Sequence, residues 1–214
     1  MKRVVLALAV LAPPALASCR STSPQQSSPI VQPGGPGGES RVLSAESAES
    51  LVRPMFTPAD VKFMQGMIGH HSQAVEMVDL LKTRTSDPGL RQLGERIQVS
   101  QVDEIKLMEA WLRDRGQEVP GPHAMHAHGA TLMPGMLSEQ EMAQLAAAKD
   151  AEFDRLFLKG MIKHHGGALT MVQELFASPG AGQDADIYAF ASDVEADQRM
   201  EINRMSGMLK ERQK

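Results

Sequence analysis

A nine-residue phrase that occurs twice constrains this chain more than any other feature. Phe63-Met64-Gln65-Gly66-Met67-Ile68-Gly69-His70-His71 returns 94 residues later as Phe157-Leu158-Lys159-Gly160-Met161-Ile162-Lys163-His164-His165. Between Phe63–Leu81 and Phe157–Leu175, 10 of 19 positions are identical, where unrelated segments share about one or two. Each copy is followed by a second matched phrase, Gln101-x-x-Glu104-Ile105-x-x-Met108 and Gln198-x-x-Glu201-Ile202-x-x-Met205. The chain is therefore an internal duplication, and both halves must bury the same kind of surface.

That surface is helical. Thr57-Pro58-Ala59-Asp60 supplies an N-cap hydroxyl, a proline at the first helical position and an acid at the positive end of the dipole. From there Phe63, Met67, His70, Ala74, Met77 and Leu81 fall at spacings of 4 and 3, one buried stripe with a histidine on it. The spacing predicts a helix to about Lys82, ended before Asp87-Pro88-Gly89. A second helix follows from about Pro88 to Arg115, with Ile97, Gln101, Glu104, Met108 and Trp111 inward. Ser138 and Glu141 read as a capping box, with a bend expected near Lys149-Asp150. A third long helix covers about 151–176 on Phe157, Met161, His164, Ala168, Met171 and Leu175. A fourth covers about 184–211 on Ile187, Val194, Gln198, Glu201, Met205 and Met208. Short connections make each pair an antiparallel hairpin. Two matched hairpins predict an all-α, up-down four-helix bundle over residues 57–214, with hairpins at 57–116 and 138–214.

Stacking the hairpins puts His70, Gln101, Glu104, His164, Gln198 and Glu201 in the middle layers, with Met67 and Met161 one turn away. Buried imidazoles and carboxylates cost several kcal/mol unless paired or coordinated, on the order of the penalty for any buried charge. Either each histidine hydrogen-bonds a facing Gln or Glu and the layer is structural, or the layer is a metal site. Adjacent helical residues point about 100° apart. Hence His70 and His164 are assigned to the centre and His71 and His165 to its edge. The metal candidates are Met67, His70, His71, Glu104, Met161, His164, His165 and Glu201. Thioether with imidazole suits copper, Cu(I) above all; imidazole with carboxylate also suits zinc, Cu(II) or iron. Each hairpin offers one Glu on its seam and no Glu-x-x-His there, which weakens a di-iron oxidase reading.

The first residues carry an export signal: Lys2 and Arg3, an apolar run from Val4 to Leu11, then Leu16-Ala17-Ser18 before Cys19. Leu-Ala-Ser-Cys resembles the lipobox of bacterial lipoproteins, which makes 1–18 a signal peptide, Cys19 the lipidated residue and the cell envelope the destination. Residues 19–56 read as a Pro/Gly/Ser-rich flexible tether, with a short helix expected over 42–52. Without the signal, 20 basic face 26 acidic side chains, so nucleic acid is not an expected partner. Cys19 is the only cysteine, which excludes an intrachain disulfide and thiolate clusters.

All seven histidines lie in the two pairs or in the linker 117–137. There His123, Met125, His126, His128, Met133 and Met136 form a candidate auxiliary capture tract. Met55, Met64, Met142, Met200 and Met208 read as packing or surface residues.

Met-Ile-x-His-His in both halves, Gln-x-x-Glu-Ile-x-x-Met after each, Met133-Pro134-Gly135-Met136 and Phe153-Asp154-x-x-Phe157 together resemble the Domain of Unknown Function 305 family over about Thr57 to Leu209. The resemblance implies a secreted bacterial protein with a ferritin-like bundle, and copper binding through His70, His71, His164 and His165 with neighbouring methionines. The resulting expectation is an envelope-anchored protein that buffers or passes copper, alone, as a homo-oligomer or to an envelope partner. A non-metal helical interaction module with structural His-Glu layers is the alternative, and a metal-dependent oxidase stands third.

Overall fold

The computed structural model describes residues 29–32, 40–44, 47, 56–121 and 132–212. The chain divides into two units, Met1–Val52 and Arg53–Lys214. In the first, β1 (Ile30–Gln32) pairs antiparallel with β2 (Arg41–Leu43), Val31 opposite Val42. This ladder lies within the stretch read as a tether. At Arg41–Leu43 the chain is extended, where a short helix was expected to begin at residue 42: the β-branched Val42 faces Val31 across the strands.

Among its described residues the second unit has five helices: α1 (Pro58–Arg84), α2 (Pro88–Asp114), α3 (Glu139–Ala147), α4 (Asp150–Ala177) and α5 (Ala185–Glu211). Their ends follow from the capping chemistry. The Thr57 hydroxyl accepts from Asp60 N, and Asp60 Oδ2 accepts from Thr57 N at 2.7 Å. Ser138 and Glu141 form the same reciprocal pair at the start of α3. The bend expected near Lys149 is a full break, with Asp150 in the left-handed region at φ 50°.

α1 and α2 form one antiparallel hairpin, α4 and α5 the other, and the hairpins meet through α1 and α4. The four long helices make the duplicated bundle, with α3 laid against α1 and α4. Its apolar core is split in two. One cluster gathers Phe63, Met67 and Ile68 with Met171, Val172 and Leu175; the other gathers Ala74, Met77 and Leu81 with Phe153, Phe157 and Met161. The N-terminal half of α1 thus packs on the C-terminal half of α4 and the reverse, so the two helices run antiparallel. They meet at the histidines, which form a polar layer between two greasy ones.

The loop before α3 is threaded into this junction. Gln73 Nε2 donates to Leu137 O at 2.9 Å, and Leu137 N donates to Gln73 Oε1 at 2.7 Å. Gly135 turns with φ 74° against the backbone of Lys163 and Gly167. Met136 and Leu137 are buried. Among the described residues this strap has no counterpart in the other half of the duplication.

Candidate metal centre

All four histidines of the repeated phrase are buried, none more than 1% exposed. The rings of His70 and His164 stack at 3.8 Å between centroids, tilted by 36°, on the contact between α1 and α4. His164 Nε2 donates to His70 O at 2.9 Å. Strict two-fold symmetry would return that bond from His70 to His164. Instead His70 Nε2 donates to Pro134 O of the strap at 3.0 Å. His71 and His165 each turn toward the partner helix of their own hairpin. His71 Nε2 bonds Glu104 Oε2, and His165 Nε2 bonds Glu201 Oε2, both at 2.5 Å. Ser100 Oγ donates to the other Glu104 oxygen at 3.0 Å.

His70 and His164 meet at the centre, as expected, but the facing glutamates are not their partners. The glutamates take His71 and His165, not His70 and His164, and the second histidines are as buried as the first. A single stripe could not reveal this, because α1 packs on both α2 and α4 and so buries a wide arc. Two adjacent residues 100° apart each find a neighbouring helix within that arc.

Burial is also what sets the protonation. Desolvation, then the positive charge His71 would carry, brings the His70 pKa down to about 3. His164 is pushed well below its ordinary value by burial and by His70. Both rings are neutral at physiological pH. Burial raises Glu104, but the His71 hydrogen bond, the His71 charge and Ser100 outweigh it and hold the carboxyl below its ordinary value. It stays ionised.

A neutral imidazole carries one proton. Carbonyl and carboxylate oxygens can only accept from a ring N–H, so all four Nε2 atoms carry a proton, and in the neutral rings of His70 and His164 Nδ1 is left a bare lone pair. All four Nδ1 atoms are buried without a hydrogen-bond partner, as are Gln101 Oε1 and Gln198 Oε1. His70 Nδ1, His164 Nδ1 and the two amide oxygens are thus buried acceptors with no donor. A buried acceptor left unmet costs about 1–3 kcal/mol, and a cation is the species that acceptors alone can satisfy. The other ring nitrogens are held by carbonyl or carboxylate, the arrangement that orients a histidine for metal ligation. Among the described residues no group of three or more His, Cys, Asp and Glu side chains is gathered to hold a metal ion.

The remaining candidates separate. Met67 lies in the first apolar cluster and Met161 in the second, both fully buried. Met136 is buried beneath the strap. Met133 is half-buried and lines a cavity of about 650 Å³ with Phe63, Met171 and Leu175. Met64 is buried and Met200 exposed, with Met142 and Met208 intermediate. Cys19, Met55, His123, Met125, His126 and His128 lie outside the described residues.

Sequence reasoning missed Pro134, Gln73 and Gly167. Their signal is a flaw in the repeat: Gln73 occupies the position that Gly167 occupies in the second copy. Gln73 clamps the strap, and Gly167 makes room for it. A Cβ at Gly167 would stand 1.9 Å from Pro134 O.

Comparison with known proteins places this geometry among relatives. The profile of a family described as a domain of unknown function, DUF305, matches residues 60–209. A DUF305 fragment from Deinococcus radiodurans is 33% identical, with 74% of this chain and 99% of that chain covered and a TM-score of 0.63. A DUF305 protein from Streptomyces coelicolor, named as a candidate secreted protein, is 28% identical over 72% of this chain and 93% of that one, TM-score 0.61. CopM in its Cu(I)-bound form is 26% identical over 73% of this chain and 98% of that one, TM-score 0.56. CopM also matches in Cu(II)-bound and Ag-bound forms. An uncharacterized protein of Acanthamoeba polyphaga mimivirus is 41% identical over 56 residues, spanning 26% of this chain and 37% of that protein.

Proposed function

This chain belongs to the DUF305 family, and from that membership and its buried imidazoles we propose that it binds and hands on copper ions in the cell envelope. The observation that carries the reading is the set of four buried, unpartnered Nδ1 atoms, each on a ring whose Nε2 is already fixed. His70, His164, His71 and His165 hold the ion through Nδ1. Glu104 and Glu201 orient His71 and His165 and balance the incoming charge rather than ligate directly. With no gathered set of three or more donors among the described residues, the neutral imidazoles favour a soft monovalent ion that accepts low coordination, Cu(I) or Ag(I), over zinc or iron, which take four or more. CopM, bound to Cu(I), Cu(II) and Ag, supports copper as the class of ion.

Export rests on the signal at residues 1–18 and agrees with the Streptomyces relative; lipidation at Cys19 tethers the bundle to a membrane. Among the described residues no helix is long and apolar enough to cross one. His123, Met125, His126, His128 and Met133 serve as an outer capture tract.

The competing reading, a purely structural polar layer, draws on the completed Nε2 bonds. Calorimetric titration with Ag(I), and with Cu(I) under reductant, separates the two. Saturable binding that is lost in His70→Ala/His164→Ala supports the metal centre. Unchanged stoichiometry and affinity in that variant, with lowered stability, establishes the structural layer in its place.

A further inference from the structure

Buried imidazoles raise the question of how an ion reaches them. His71 and His165 are fully buried, while the carboxylates that hold them are 13% and 17% exposed. Glu104 and Glu201 therefore each touch solvent at one end and a buried ring at the other. A third carboxylate joins them. Asp193, Asp197 and Glu201 follow one another at four-residue intervals on one face of α5. Asp197 is raised by burial and by the charges of Glu104, Glu201 and Asp193, all of them negative. Asp197 thus lies in the negative field of Glu104 from α2 and of Glu201, one turn along its own helix.

Elsewhere on these helices acids have bases beside them: Asp103 has Lys106, Glu109 has Arg113 and Glu195 has Arg199. Among the described residues, Glu104, Asp197 and Glu201 pair with no lysine or arginine. One turn away on the same two helices, and no more than 2% exposed, are Gln101 and Gln198, whose Oε1 atoms are unpartnered. On the other side the strap lines the 650 Å³ cavity and its Pro134 carbonyl is bonded to the His70 ring; Lys62, Glu118 and Glu174 also line that cavity.

We propose that the metal ion enters between α2 and α5, drawn by Asp197 and passed across Glu104 and Glu201 to His71 and His165. This rests on the metal reading above and adds the route. Along it the carboxylates attract a hydrated cation while their bonds to Nε2 stay in place, and the cation then exchanges water for imidazole Nδ1.

Trp111 is the only tryptophan and lies two helical turns beyond Glu104 on α2, about 10 Å along the axis. Its fluorescence, quenched by Cu(II), reports arrival in a stopped-flow experiment on the full chain. Asp197→Asn is expected to slow association about threefold or more at low ionic strength with stoichiometry unchanged. In about 0.5 M salt the difference should vanish. Asp197→Glu, which keeps the charge, and Glu174→Gln, which removes one beside the cavity, should both bind at the wild-type rate. Asp197→Asn at wild-type speed, Asp197→Glu as slow as Asp197→Asn, or Glu174→Gln as the slow variant would each overturn the route. A wild type that shows no saturable quenching by Cu(II) overturns the route, whereas absence of Ag(I) binding by calorimetry overturns the metal reading itself, and the route with it.

Discussion

Two neighbouring glycines of α4 should respond to the same substitution with opposite signs. A Cβ at Gly167 would lie 1.9 Å from Pro134 O, 2.4 Å from Pro134 C and 2.6 Å from Gly135 Cα. These are backbone atoms, so no side chain can rotate away, and the strap itself must lift. Lifting it removes the Pro134 carbonyl from His70 Nε2, leaving a buried N–H whose lost partner costs about 1–3 kcal/mol. Overpacking adds about 1–3 kcal/mol. Against this, alanine in a helix interior returns about 1 kcal/mol relative to glycine. Gly167→Ala should therefore destabilise the bundle by roughly 1–5 kcal/mol. At Gly166 a Cβ meets nothing within 4 Å, so Gly166→Ala should stabilise by up to about 1 kcal/mol. Urea unfolding followed by helical circular dichroism measures both. At about 2–4 °C per kcal/mol for a chain of this size, thermal midpoints should move in opposite directions. A Gly167→Ala protein as stable as the wild type would refute the threaded strap.

Three further outcomes follow from the polar layer and the caps. The metal-free protein should lose stability as pH falls below 6.5. There the unfolded chain protonates His70 and His164 while the folded rings, the first with a pKa of about 3 and the second also well lowered, do not. His70 contributes about 1.4 kcal/mol per pH unit between 6.5 and 3, so unfolding at pH 5 should require at least roughly 2 kcal/mol less than at pH 7, with His164 acting in the same direction; a flat profile from pH 7 to 5 contradicts the buried neutral rings. Glu104→Leu should cost about 1–3 kcal/mol by stripping His71 Nε2 of its acceptor, while Glu104→Gln, which keeps an oxygen there, should cost less than half as much in the same urea assay. Asp60 is fully buried and accepts from Thr57 N, Thr57 Oγ and Gly182 N. Asp60→Asn turns an amide donor toward one of those donors and should lower stability by about 1–3 kcal/mol.

The long helices were legible because their signals are local. Thr57, Pro58 and Asp60, Ser138 and Glu141, and the 4-3 spacing from Phe63 to Leu81 each act within a turn or two. The duplication then dictated two hairpins and a polar middle. What one stripe could not give was the direction of each histidine, since α1 buries one arc against α2 and another against α4. His71 reaches Glu104 across the first contact and His70 reaches the strap across the second. The strap was quoted in the sequence as Met133-Pro134-Gly135-Met136, but its place depends on a contact 64 residues away, between Pro134 and His70. Only the mismatch of Gln73 with Gly167 hinted at it. The break at Ala148–Lys149 was foreseen as a bend, for Asp150 in the left-handed region leaves no continuous helix.

The central claim is that the free Nδ1 atoms of four buried rings are the ligands. Long-range proton–nitrogen correlation spectra of the histidine rings, recorded with and without Ag(I), test it directly. The account predicts four rings protonated on Nε2 before metal, with Nδ1 resonances shifting on saturation and Nε2 still protonated. Nδ1 resonances that do not move, or metal shifts at Nε2 of His71 and His165 with release of Glu104 and Glu201, would contradict it.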